Sequence, residues 1–386
     1  MEGVLEKVAK IMDTLPPKGT KVLVGMSGGV DSSMTAWLLK ERGCEVIGVT
    51  MSLWDNSFNL PKTEFKACFG PGEEEEIESA RSFAEKIRIP FHVVNLSKEY
   101  KSYVLDYFRE EYLRGRTPNP CARCNLTIKF GFLLEYSKKL GISFDNFATG
   151  HYARTILNPA TKRYELLRGI DKDKDQSYFL VMLTQSHLSK VVFPLGYITK
   201  RETKVMAEHL GFSELLAQKE SQDFVEGNKY EVLFSPEEVK EGEIVDETGR
   251  VLGKHRGIIH YTIGQRRGLG IGGAGEPYYV IKLDPANNRV IVGKKPFLLK
   301  STMVVHNCNW ISYKNEEVPF PLENVGCKIR IKHEIAKCKI EKLDVSGTTV
   351  KVAFEEPQSA ITPGQIAGFY SGDVVLGGGI IEKVLD

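Results

Sequence analysis

One stretch limits what this chain can fold into more than any other: Val22-Leu23-Val24-Gly25, then Met26-Ser27-Gly28-Gly29, then Val30-Asp31-Ser32-Ser33 and on to Lys40. Val22 to Gly25 have the apolar, β-branched character of a short buried strand, and Met34 to Lys40 are apolar at a density that suits a helix packed on a sheet. Between them Ser27, Gly28 and Gly29 let the backbone bend sharply and come close to a ligand. The N–H groups at the helix start face that ligand and favour an anion, and Ser27, Ser32 and Ser33 add hydroxyl donors. The turn is not a Walker A loop, because no Gly-Lys-Ser/Thr follows. It is not a dinucleotide fingerprint either, because Gly-x-Gly-x-x-Gly is absent. A plain strand-to-helix turn needs neither the serines nor Asp31. The stretch therefore reads as a phosphate cradle built from Gly25, Met26, Ser27, Gly28, Gly29, Asp31, Ser32 and Ser33.

The rest of the first half supports an α/β domain with a mainly parallel sheet. Residues 4–13 have amphipathic helical spacing. Residues 45–51 and 91–96 read as strands, 73–87 as a helix with an acidic start, 100–113 as a helix, 115–120 as a proline-marked loop, 129–139 as a helix and 146–151 as a fourth strand that ends in a loop. Strand and helix alternate, so the ligand belongs at the carboxyl ends of the strands. That places Met51, the 116–125 loop, Gly150 and His151 on the cradle side. After Gly211 the texture changes to glycines and short β segments at 242–245, 278–283 and 289–293. Farther on, 328–331, 337–340 and 348–354 read as strands of a small β-barrel. The expected division is 1–212, 213–295 and 296–386.

Bulk properties narrow the class. The 386 residues are 42% apolar and 26% charged, with a net charge of +2, so a nucleic-acid surface must be a local patch. No apolar run approaches the ~20 residues that span a bilayer, and the acidic, helical start resembles no signal or transit peptide. The expectation is no membrane partner and a cytoplasmic location. Seven cysteines, an odd number, argue against a disulfide framework. Cys121 and Cys124 have informative spacing, while Cys44, Cys308, Cys327 and Cys338 read as buried small hydrophobes. Cys-x-x-Cys is also half a zinc site, but no second pair completes it.

Several blocks, in order along nearly the whole chain, resemble the tRNA-specific 2-thiouridylases. The Ser-Gly-Gly-x-Asp-Ser turn is similar to the PP-loop of ATP pyrophosphatases. Arg116-Thr117-Pro118-Asn119-Pro120-Cys121, Cys124-Asn125, Ala148-Thr149-Gly150-His151 and Lys174-Asp175-Gln176-Ser177 match, as do Tyr261-Thr262-Ile263-Gly264-Gln265-Arg266-Arg267-Gly268, Thr362-Pro363-Gly364-Gln365 and Val375-Leu376-Gly377-Gly378-Gly379. The resemblance implies a PP-loop domain, a central domain and a C-terminal barrel. It also implies ATP with Mg²⁺, and a tRNA anticodon stem-loop as partner. The implied reaction is adenylation of the C2 oxygen of the wobble uridine, followed by sulfur transfer from a persulfide carrier or sulfide. Met51, Gly150 and His151 are then expected around adenosine, and Cys124 in sulfur transfer. Other PP-loop synthetases share the adenylation but lack the Cys-x-x-Cys and Gly-Gln-Arg-Arg-Gly blocks. A non-catalytic tRNA-binding protein would have no use for the cradle.

One departure matters. Most members of the family carry a second catalytic cysteine in a Glu-Ser-Gln-Glu-Ile-Cys-Phe segment. Here Lys219-Glu220-Ser221-Gln222-Asp223-Phe224-Val225 has none, and aligned on Phe224, Asp223 takes its place. Three outcomes stay open. Cys121 and Cys124 form the redox pair; or a [4Fe-4S] cluster uses Cys121 and Cys124 with Cys68 or Asp223; or the chain has lost thiolation.

Backbone contacts to tRNA are expected from Arg116, Asn125, Lys129, Gln265, Arg266 and Arg267. Lys328 and Arg330 join them, alternating along one predicted strand face with Lys332. Gln176 is expected to face the anticodon loop or the target base.

Overall fold

Val22, Leu23 and Val24 are wholly buried, and the strand they belong to, β1 (Lys21–Gly25), lies at the centre of a parallel sheet. In the computed structural model, which describes residues 2–60, 62, 67–217, 223–226, 229–272 and 276–385, the chain divides into two units. One comprises Met1–Tyr103, Arg123–Lys229 and Asp373–Val375; the other comprises Val104–Ala122, Tyr230–Gly372 and Leu376–Asp386.

In the first unit β1 pairs with β2 (Glu45–Ser52) on one side. Later strands are β3 (Ala67–Phe69), β4 (Phe91–Asn95), β5 (Asn146–Ala148), β6 (Ala153–Leu157), β7 (Tyr164–Arg168), β8 (Val191–Val192) and β9 (Asp223–Val225). The sheet order is β4-β2-β1-β5-β8, with every pairing parallel, as the alternation of strands and helices predicts. Helix α1 (Glu2–Thr14) precedes β1, while α2 (Val30–Glu41) follows β1 and α3 (Glu73–Lys86) follows β3. Met34, Ala36, Leu38 and Leu39 of α2 share one core with Ala80, Phe83 and Ala84 of α3. The helix starts at Val30, four residues before the apolar run that announces it, so Asp31, Ser32 and Ser33 sit in its first turn. A separate ladder pairs β3 with β9 in parallel, Ala67 beside Asp223 and Phe69 beside Val225.

The second unit holds the β-rich remainder. Strands β10 (Gly242–Asp246), β11 (Val251–His255), β12 (Tyr279–Asp284) and β13 (Arg289–Gly293) form a sheet of order β11-β10-β13-β12. Strands β14 (Leu299–Trp310), β15 (Leu322–Lys328), β16 (Ala336–Lys342), β17 (Val350–Ser359), β18 (Ile366–Ser371) and β19 (Val374–Val384) run in order β14-β17-β16-β15-β18-β19. Pairing of β19 back onto β14 closes the barrel, which removes free sheet edges. Cys308, Cys327 and Cys338 are buried in it, and Cys44 is buried in the first unit.

Two local expectations change. Residues 116–125 are not all loop: Pro120–Cys124 is helical. The Asn119 side chain accepts a hydrogen bond from the Ala122 N–H at 3.0 Å, and Pro120 suits the first helical position. The strand predicted at 328–331 ends at Lys328. Lys328 is buried, and Arg330 turns back to donate to the Ser359 carbonyl at 2.9 Å. Lys328, Arg330 and Lys332 therefore do not share a strand face.

Candidate active site

The turn after β1 is held in shape by its own hydroxyls. The Ser27 N–H donates to Ser32 Oγ at 3.1 Å, and Ser32 Oγ donates to the Gly29 carbonyl at 3.2 Å. No side chain caps α2, whose N-cap is Gly29, so the helix's leading N–H groups remain for an anion. Two glycines are required by packing. Gly28 has φ +78, and a Cβ there would lie 2.5 Å from the Glu76 carbonyl oxygen. A Cβ on Gly150 would lie 2.8 Å from the Asp31 carbonyl carbon and the Ser32 nitrogen, so the loop after β5 rests directly on the first turn of α2.

These elements enclose a cavity of about 220 Å³. Gly25, Met26, Ser27, Asp31 and Ser32 line it from β1 and α2; Met51 lines it from β2, and Gly150 and His151 from the loop after β5. Gly28, Gly29 and Ser33 are not on its wall. Ser33 lies inside α2, fully buried, with a hydroxyl that has no hydrogen-bond partner among the described residues. Among the lining residues from other elements are Cys68 of β3, Glu73 of α3, and Lys129. Glu73 accepts from the backbone of Leu53 and Trp54 and from the Ser52 hydroxyl, which fixes the end of β2. Burial holds its carboxyl above the usual carboxylate range.

Charge on the wall is organised. Asp31 accepts from the buried Lys200 ammonium at 2.6 Å and from the Tyr152 hydroxyl at 2.9 Å, and the Tyr152 oxygen lies 3.0 Å from Thr203 Oγ1, from which it can accept. Burial first, then the Asp31 charge, pushes the Tyr152 phenol up. Burial, with the Lys129 charge adding to it, holds His151 well below the ordinary imidazole value. Its Nδ1 lies 2.7 Å from Thr149 Oγ1.

The thiols differ sharply. Cys121 and Cys68 are exposed, whereas Cys124 is only partly so. Burial pushes the Cys124 thiol up to about 12; Lys129 lowers it and Cys68 raises it further. Beyond Cys124 the chain is wound as a π-helix over Asn125–Phe132, and this turn carries Lys129 to the cavity wall. Asp223 pairs through its backbone with Ala67, next to Cys68, while Lys219 to Gln222 lie outside the described residues. Among the described residues, no group of three or more His, Cys, Asp or Glu side chains is placed to hold a metal ion.

The residues expected to meet tRNA divide. Arg266 and Arg267 are exposed. Gln265 builds the turn that presents them: its carbonyl oxygen accepts from Thr262 N–H at 3.1 Å, and its amide donates to the Arg267 carbonyl at 3.0 Å. Arg116 is held by Glu111 at 2.7 Å and by the Ile381 and Glu382 carbonyls. Asn125 is buried and donates to the Phe179 carbonyl at 3.3 Å. Gln176 accepts from the Tyr152 N–H at 3.0 Å, so it positions the residue that bonds Asp31. Sequence reasoning missed Lys200 and Tyr152 at this site. Tyr152 stands in a matching block and could have been found there, but no local signal marks Lys200.

Comparison with known proteins agrees with this geometry. Residues 20–226 match the family model described as tRNA methyl transferase HUP domain, 232–294 the tRNA methyl transferase PRC-barrel domain, and 300–381 the aminomethyltransferase beta-barrel domain. The tRNA-specific 2-thiouridylase MnmA of Endomicrobium trichonymphae is 46% identical over 94% of this chain and 98% of that protein. The MnmA of Carboxydothermus hydrogenoformans is 43% identical over 97% and 100%, and that of Geobacter metallireducens is 46% identical over 95% and 97%. A more distant likeness is the U34-tRNA thiolase NcsA from Methanococcus maripaludis with its [4Fe-4S] cluster, 21% identical over 54% of this chain and 64% of that one, with a TM-score of 0.35; at that distance it carries no conclusion. The family models cover all three parts of the chain and these relatives match over nearly their full length, and this chain belongs to the tRNA-specific 2-thiouridylase family.

Proposed function

We propose that the chain replaces the C2 oxygen of the wobble uridine in a tRNA anticodon with sulfur, at the expense of ATP. One observation carries the reading: a single cavity joins the anion-favouring turn of Ser27 and Ser32 to Cys68 and to Lys129, which lies in the segment running on from Cys124.

The chemistry follows from the leaving group. A uridine C2 oxygen leaves poorly. Attack of that oxygen on the α-phosphorus of ATP forms an O–P bond, breaks the bond to pyrophosphate and converts the oxygen into part of AMP, which leaves well. The open N–H groups of α2, with Ser27 and Ser32, stabilise the departing pyrophosphate charge. Mg²⁺ enters with ATP as part of the substrate and neutralises phosphate charge, with Asp31 as the nearby carboxylate. Met51, Gly150 and His151 take the adenosine side, where a neutral His151 adds no charge. The anticodon loop is single-stranded, so drawing one base out costs little. Arg266 and Arg267 contact the tRNA backbone. A cytoplasmic setting, where thiols stay reduced, belongs to the same reading.

Sulfur comes from a persulfide carrier or sulfide. A [4Fe-4S] route would draw on Cys121 and Cys124 with Cys68 or Asp223. Among the described residues no three such ligands are grouped to hold a metal ion, the Asp223 side chain lies outside the described residues, and no step is routed through a cluster. Stoichiometric iron and labile sulfide in anaerobically purified protein would reverse that.

The reading is tested by incubating the protein with ATP, sulfide and tRNA and analysing nucleosides by mass spectrometry. The expected result is 2-thiouridine at the wobble position with one AMP released for each; with a persulfide as donor in place of sulfide, it is lost in Cys124→Ala. AMP release without thiouridine, or sulfur at another position, overturns it.

A further inference from the structure

Adenylation gathers negative charge around the α-phosphorus before pyrophosphate carries it away, and a cation fixed beside that atom lowers the barrier. The turn after β1 offers only neutral donors, on the side that takes pyrophosphate. Lys200 is committed to Asp31 at 2.6 Å and lies off the cavity wall. His151 is on the wall, but burial holds it neutral. That leaves Lys129, the one lysine or arginine among the described residues that line the cavity. It is half-buried, and its ammonium has no hydrogen-bond or ion-pair partner among the described residues. A cation partly removed from water without a counterion favours an incoming anion. Geometry decides which anion. Cys124 is the N-cap of the π-helix Asn125–Phe132, and the i→i+5 winding sets Lys129 one turn beyond it. Leu133, four residues farther on, lines the same cavity, so this face of the helix looks into it. In the adenylated base, the carbon that receives sulfur is separated from the α-phosphorus by one oxygen. The segment of Cys124 and the α-phosphate must therefore meet, and Lys129 belongs both to that segment and to the wall of the ATP cavity.

We infer that Lys129 is a catalytic residue of the adenylation step, its ammonium meeting the nonbridging oxygens of the α-phosphate of ATP; the inference rests on the thiolation reading above. The uridine C2 oxygen attacks the α-phosphorus with a lone pair, and an O–P bond forms. The bond from that phosphorus to the bridging oxygen breaks, and pyrophosphate leaves with its electron pair. The N3 proton passes to solvent, which leaves the O-adenylated ring neutral. Lys129 keeps its own proton throughout and acts by charge. Its attraction is strongest in the five-coordinate state, where the nonbridging oxygens carry most charge, and the partly buried setting strengthens it. A compact ammonium on a flexible stem follows the phosphorus as it passes from pyrophosphate to the base. On a wall shared with Ser27, Met51 and Gly150, the anion it meets is that of ATP rather than the tRNA backbone.

The test is a single turnover of adenylation with tRNA, Mg²⁺ and saturating ATP, the sulfur donor withheld, read as pyrophosphate release in wild type, Lys129→Met and Lys129→Arg. Lys129→Met is expected to lose at least about 100-fold in rate, with ATP and tRNA affinities within about threefold of wild type; Lys129→Arg restores part of the rate. The two diastereomers of α-thio-ATP, with sulfur on one or the other nonbridging α-oxygen, locate the contact: wild type uses one faster, and Lys129→Met narrows that preference. An undiminished preference, or a raised ATP Michaelis constant at unchanged rate, overturns the inference. So does weaker tRNA binding with adenylation unchanged at saturating tRNA, which would make Lys129 a backbone contact. If the wild-type protein releases no pyrophosphate with tRNA, it is the thiolation reading itself that fails.

Discussion

The Lys200 ammonium lies 2.6 Å from Asp31 Oδ2, and this pair joins the first turn of α2 to the helix Lys200–His209. The lysine is buried while the carboxylate faces the cavity. Removing the acid alone leaves a buried charge without a partner. Asp31→Asn should therefore lower unfolding stability by about 2–4 kcal/mol, with Lys200→Met costing less because it removes the desolvated ion itself. Urea denaturation of the two variants checks the order; equal midpoints would show that the pair stabilises nothing.

Gly150 and Gly29 make opposite predictions. A Cβ on Gly150 meets the backbone of Asp31 and Ser32 at 2.8 Å, whereas one on Gly29 has nothing nearer than Ser27 Oγ at 3.9 Å. Gly150→Ala should cost about 1–3 kcal/mol of stability by pushing α2 aside. Gly29→Ala should leave the melting temperature near wild type yet weaken ATP binding, because its methyl would stand 3.9 Å from Ser27 Oγ on the anion-favouring turn. Calorimetric unfolding and ATP titration separate the two effects. Unchanged ATP affinity in Gly29→Ala would remove the turn from phosphate binding.

His151 predicts a pH dependence. Its folded value is held well below the unfolded one by burial, so at acid pH the unfolded chain binds a proton that the folded chain refuses. The stability contributed by neutral His151 is complete above about pH 6.5 and is lost as pH falls below it. In His151→Asn, which keeps a partner for Thr149, stability should fall less steeply between about pH 6.5 and 5. Chemical denaturation at a series of pH values reads the slope, and parallel slopes would refute the assignment.

Arg266 and Arg267 have no ion-pair partner among the described residues, and their turn is fixed by Gln265. Replacing both with alanine should weaken tRNA binding and reduce the slope of log affinity against log salt by about 1–2, with ATP affinity unchanged. Filter binding at several salt concentrations tests this, and an unaltered slope would mean that these side chains do not meet phosphate.

Much of this was legible in the sequence, for local reasons. Residues 22–25 and 45–51 have apolar, β-branched runs that can only be inner strands, and the serine–glycine turn between β1 and α2 carries its own chemistry. Gly25, Met26, Ser27, Asp31, Ser32, Met51, Gly150 and His151 meet on one wall because parallel strands end on one side. Where reading failed, a local pattern misled or a partner was distant. Lys328-Ile329-Arg330-Ile331 alternates like a strand, but Arg330 is drawn to the Ser359 carbonyl. The prolines around Asn119 looked like loop and hid a helix cap. Lys200 meets Asp31 across 169 residues of chain, and nothing near either residue announces it. The place of Lys129 on the cavity wall depends on a π-helical turn, which cannot be read from residue type.

The ties between Thr117, Pro118 and Gln365 impose a delay on synthesis. The Gln365 amide donates to the Thr117 carbonyl at 3.1 Å and to that of Pro118 at 3.0 Å, and the first of these partners lies 248 residues earlier in the chain. At about 5–20 residues per second, the residues leading to Cys121 leave the ribosome on the order of 10–50 s before the turn that holds them exists. For that interval the nascent chain carries its cysteine pair without its anchor, so a message that stops short of the last strands yields thiols with no finished barrel to hold them.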